Sequence, residues 1–67
     1  MTKEMEFFTF LLEQYAAYKE TTADIILKQF DDLNLTDFIM NMYEMYHSEA
    51  IQIAFDDIDR LIAEKST

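Results

Sequence analysis

The chain has no glycine and no proline. The residues that ordinarily mark turns are missing, so turns have to be placed by helix N-caps and by breaks in hydrophobic periodicity. Thr21 or Thr22 precedes Ala23-Asp24, Thr36 precedes Asp37, and Ser48 precedes Glu49. In each case a hydroxyl can accept from an orphaned backbone N–H, and an acid follows that suits the positive end of the helix dipole. Thr2 with Glu4 marks a further start near the N-terminus. These caps predict an all-α fold, a compact bundle of four short helices at about 3–19, 23–33, 37–47 and 49–64. The short connections favour successive helices packing on one another.

Positions spaced at about 100° per residue place Met5, Phe8, Leu11, Leu12 and Tyr15 on one face of the first helix. The second gathers Ala23, Ile26, Phe30 and Leu33, the third Ile39, Met42, Tyr43 and Tyr46. On the fourth, Ile51, Ala54, Phe55, Ile58, Leu61 and Ile62 share a face. Four such stripes predict one shared core, with Leu35 plugging an end of it. Tyr15, Tyr18, Tyr43 and Tyr46 fall at core edges, where a ring buries area while its hydroxyl reaches the rim.

Sixty-seven residues allow one core, and residues 1–67 are read as a single helical domain. Hydrophobic residues at 51% and aromatics at 15% give it apolar surface that a disordered acidic tail lacks. Ordering the chain costs roughly 1.5 kcal/mol per residue against a return of about 25 cal/mol per Å² of buried apolar area, sums that nearly cancel at this size. With no cysteine there is no disulfide or thiolate metal site, which leaves tight helix packing or association with another chain as the stabilising devices. The absence of cysteine fits a cytoplasmic location. Phe7 to Leu12, bracketed by Glu6 and Glu13, is too short for an export signal, and no run approaches the roughly 20 apolar residues of a membrane span.

Fourteen acidic residues against five basic ones give a formal net charge of -9. That field repels phosphate backbones and anionic membranes and attracts basic proteins. A helix-turn-helix reading would make DFIMNMYEMYH the recognition helix, and it has no Lys or Arg. Neither nucleic acid nor membrane is expected as a partner.

No catalytic, cofactor or metal site is expected. Asp56 and Asp59 lie about 60° apart on the helix while Asp57 falls on the other flank, and Arg60 can pair with Asp56 or Asp57, so the string reads as a solvated ion-pair face. Asp31 and Asp32 also read as surface. His47, the only histidine, is placed to cap carbonyls at a helix C-terminus. A phosphate loop of the glycine-rich type cannot be built, and HExxH-type zinc spacing is absent.

The apolar residues that do not fit the stripes are more informative. Phe10 lies nearly opposite Phe8, and Ile53 lies opposite Ile58. Phe7, Phe38, Met40 and Met45 sit at the flanks of their stripes. Together these six form a candidate interface for a protein partner or a second copy of the chain. The other reading is that helices with crossed axes bury wider faces than the stripes suggest.

Glu6-Phe7-Phe8 with Leu11-Leu12, Thr22-Ala23-Asp24, Tyr46-His47 and Asp56-Asp57-Ile58-Asp59-Arg60-Leu61-Ile62 are the most distinctive strings of the chain. Through them nearly the whole sequence resembles a bacterial family, domain of unknown function 3791. Members are short stand-alone proteins often encoded beside toxin-like proteins similar to ADP-ribosyltransferases. The resemblance implies an antitoxin or accessory role and brings no functional residues with it. The chain is therefore expected to be a protein-binding module or, alternatively, a self-associating structural homo-oligomer such as a homodimer. Neither is an enzyme.

Overall fold

The computed structural model describes residues 2–66. Among them the chain forms five helices: α1 Lys3–Tyr18, α2 Ala23–Asp32, α3 Thr36–Asn41, α4 Tyr43–His47 and α5 Ile51–Lys65. No strand occurs among the described residues. The all-helical expectation holds, and the expected third helix is two.

α1 opens as its cap predicts, with the Thr2 hydroxyl accepting from the Met5 N–H at 3.2 Å and Glu4 and Glu6 in the first turn. Its close is a turn that the lack of glycine had hidden. Glu20 takes a left-handed conformation at φ 58, its N–H donates to the Ala17 carbonyl, and the Thr21 N–H donates to the Ala16 carbonyl at 2.8 Å. α2 closes in the same way. Asn34 sits at φ 59, its N–H donates to Asp31, and the Leu35 N–H donates to the Phe30 carbonyl at 2.8 Å. Both are Schellman caps, usually built on glycine, and the second carries the hydrophobic contact typical of the motif because Phe30 and Leu35 are both buried.

The single helix expected over 37–47 breaks at Met42. The Met42 N–H donates to the Ile39 carbonyl three residues back, a tight turn that closes α3, and the Met42 carbonyl accepts from Tyr46 to open α4. Asn41, a weak helix former, immediately precedes the break. The two short helices follow the side of α1, and both contact it.

The expected start of the last helix at 49, capped by Ser48, is also corrected. The Ser48 hydroxyl donates to the carbonyls of Glu44 and Met45, at 2.9 and 3.0 Å, and so closes α4. The N-cap of α5 is Ala50, extended at ψ 139 and with no side-chain hydrogen bond to offer. Thr36 likewise lies inside α3; its hydroxyl donates to Asp31 across the turn. At α2, Thr22 is the N-cap residue but makes no capping bond to the backbone. Its hydroxyl instead holds the Asp24 carboxyl below the usual range, with help from the Asp24 and Ile25 N–H groups.

The core follows the predicted stripes closely. Phe8, Leu11, Leu12 and Tyr15 of α1 meet Ile26 and Phe30 of α2, Ile39 of α3, Tyr46 of α4, and Ala54, Phe55, Ile58 and Leu61 of α5. Leu35 is buried as the predicted plug. Met5, expected in the core, is 39% exposed, and Tyr43 is only half-buried. Ala16, which no stripe included, is buried.

Candidate functional site

Two tyrosines fasten α5 from opposite sides. Tyr15 is buried, with its ring 6.1 Å from Phe30 and 5.6 Å from Phe55, and its hydroxyl donates to Asp59. The same Asp59 oxygen accepts from Lys19 Nζ at 2.8 Å, and that ammonium also lies over the Tyr15 and Tyr18 rings. On the other flank the Tyr46 hydroxyl donates to Asp57 at 2.5 Å, and Arg60 pairs with the second Asp57 oxygen. Burial, reinforced by the aspartate each one meets, pushes both phenols well above the usual tyrosine range.

The hydrogen bond from Tyr46, then that from Arg60, holds Asp57 below the usual carboxylate range. At Asp59 burial opposes the charge, but the hydrogen bonds from Lys19 and Tyr15 together outweigh it and the carboxyl is also lowered. The string read as a solvated face is thus partly a set of anchors. Of the two partners open to Arg60, Asp57 is the one it meets, while Asp56 accepts from Gln52 at 3.0 Å and Arg60 also reaches Glu64 at 3.0 Å.

Between the two anchors and the neighbouring helices lie two open clefts. One, of about 390 Å³, runs between α4 and α5, with Met45 and Ile53 exposed in it and Glu49, Asp56, Asp57 and Arg60 around them. The other, of about 510 Å³, lies between the end of α1, α2 and α5, where Ile25, Ile26 and Ile62 adjoin the Tyr15, Lys19 and Asp59 cluster.

Of the six candidate interface residues, Phe10, Phe38, Met45 and Ile53 are 49%, 47%, 53% and 52% exposed, while Phe7 and Met40 are half-buried against the core. The fold brings Met45 and Ile53 together in the α4–α5 cleft and sets Phe10 beside Phe7, with ring centroids 6.3 Å apart. Phe7 also meets Tyr43 and His47 edge-on. His47 stacks on Tyr43 at 4.4 Å, and its Nδ1–H donates to the Tyr43 carbonyl at 2.8 Å, the predicted C-terminal cap. Ile25, 56% exposed in the second cleft, is an apolar surface residue that the stripes did not single out, although it lies about 100° from the buried Ile26. Among the described residues no three His, Asp or Glu side chains converge as ligands for a metal ion. No described helix is long and apolar enough to cross a membrane.

Fold and surface together define a small, acidic, all-helical protein with open apolar clefts on either side of α5 and a surplus of exposed apolar side chains. The chain belongs to the family Protein of unknown function (DUF3791), whose model matches residues 6–65. No curated protein and no solved structure matches it.

Proposed function

We propose that the chain is a non-catalytic, cytoplasmic protein-binding module of bacteria, antitoxin-like or accessory to a toxin encoded beside it. The observation that carries this reading is the surplus of large apolar side chains on so short a chain: Phe10, Ile25, Phe38, Met45 and Ile53 stay exposed outside a core of fourteen buried side chains among the described residues. Single exposed apolar residues are ordinary, but Met45 and Ile53 share one cleft and Phe10 stands next to Phe7. The net charge of -9 adds long-range attraction for a basic partner. The single histidine is engaged in stacking and capping at the end of α4, where a structural role accounts for it.

Sedimentation velocity of the chain, alone and with the product of an adjacent toxin-like gene, tests the reading. A heterocomplex is the expected result. A chain that stays monomeric and takes no partner would overturn it, and a stable homo-oligomer that ignores the partner would put the self-associating structural protein in its place.

A further inference from the structure

We infer that the α4–α5 cleft receives a basic protein segment with an apolar anchor, Met45 and Ile53 taking the anchor while Glu49 and Asp56 take an adjacent lysine or arginine. This deepens the binding-module reading and rests on it. Met45 projects from α4 and Ile53 from α5, so an apolar side chain entering between them is contacted by two helices, and the unbranched thioether of Met45 can adjust to its shape.

The charges around the cleft are unequal. Glu49, Asp56 and Asp57 face one guanidinium, that of Arg60. Asp57 is already engaged by Tyr46 and Arg60, and so forms a fixed wall of the cleft. Glu49 and Asp56 are in no ion pair among the described residues and are available to a cation from outside. Arg60, held between Asp57 and Glu64, repels a basic group at its own end, which orients the segment with its cation toward Glu49 and Asp56.

The other cleft lacks this asymmetry because Lys19 neutralises Asp59 there. A second copy of the chain is a poor occupant, since each copy carries a net charge of -9 and has five basic residues to offer.

The probes are three synthetic amphipathic helical peptides with leucine on one face and lysine, glutamine or glutamate on the other. Each is titrated into the full chain, followed by amide chemical shifts and fluorescence anisotropy. The leucine–lysine peptide is expected to bind, to move amides of α4 and α5, and to weaken as salt is raised. Ile53→Ser, and separately Glu49→Gln with Asp56→Asn, are expected to weaken it at least tenfold, while Glu13→Gln, an exposed acid of α1 outside both clefts, leaves it unchanged. Circular dichroism should show these variants folded, since none of the four side chains is part of the core.

Binding of the lysine peptide to both groove variants at wild-type affinity overturns the assignment, as does equal binding of the glutamine peptide or a shift pattern centred on Ile25 and Ile62. A dimer of the chain alone that Ile53→Ser dissociates would make a second copy the occupant and overturn it too. Failure of the groove leaves wild-type association with a toxin-like partner intact, whereas failure of the binding-module reading leaves no partner at all.

Discussion

Tyr15 joins three helices through one side chain: its ring meets Phe30 of α2 and Phe55 of α5, and its hydroxyl reaches Asp59. Helical spacing made it legible as a core-edge ring with a hydroxyl at the rim. Its partner was not legible, because Asp59 is 44 residues away and no local pattern pairs them. Tyr15→Phe keeps the ring and is expected to cost about 1.5–3 kcal/mol in urea denaturation, the worth of a hydrogen bond to a charged group. The pH dependence has a definite sign. Asp57 and Asp59 have lowered folded values, so their contribution is present above the ordinary carboxylate value of about 4 and is lost as pH falls through the folded ones. The stability gap between wild type and Asp57→Asn with Asp59→Asn should therefore narrow between neutral and strongly acid pH. Glu20 makes the opposite kind of contribution. A left-handed glutamate costs about 1 kcal/mol or more, part of which glycine returns through the greater freedom of its unfolded chain. Glu20→Gly is expected to stabilise the fold by about 0.5–1 kcal/mol in thermal melting, and Asn34→Gly by less because asparagine tolerates this conformation.

At the level of helices, N-terminal signals were more ambiguous than they looked. A hydroxyl before an acid marks a start only if the chain is extended at that residue, and local sequence does not fix that. Thr2 meets the condition and caps α1, whereas Ser48 lies at the end of α4 and turns its hydroxyl back onto the last carbonyls. C-terminal signals were missed because the search for glycine passes over Glu20 and Asn34. Asn34 was the readable one of the two, being a residue that enters the left-handed region more easily than most. The break at Met42 had no punctuation of its own, and what distinguishes it is a change of hydrogen-bond partner from four residues back to three. α5 begins on Ala50, whose backbone is already extended and whose side chain caps nothing. Ala50→Ser is accordingly expected to stabilise the fold by about 1 kcal/mol, measured as a raised denaturation midpoint with unchanged helicity. No change, or a loss, would mean that the turn does not present Ala50 as a cap.

For the molecule as a whole, periodicity made the core legible because each helix buries one face, and burial of that face is what the period of 3.6 encodes. Phe30→Ala empties the centre of that core and should cost about 3–5 kcal/mol, comparable with the whole stability of a small domain. The candidate surface was legible only as residues left over. Phe10, Phe38, Met45 and Ile53 could be recognised as misfits, but the pairing of Met45 with Ile53 depends on how α4 meets α5, and Ile25 sat too close to its buried neighbour to be noticed. Two sets of apolar side chains thus coexist, one filling the core and one standing outside it. Titration calorimetry of the proposed partner, any toxin-like protein encoded beside the chain, with wild type and with Phe10→Ser, Ile53→Ser tests most directly whether the outer set is a contact surface. The account predicts a variant that keeps its helicity, as exposed positions lose only about 0.5 kcal/mol on substitution, and whose association weakens by about 2 kcal/mol or more. A variant that unfolds, or that binds as tightly as wild type, would contradict it.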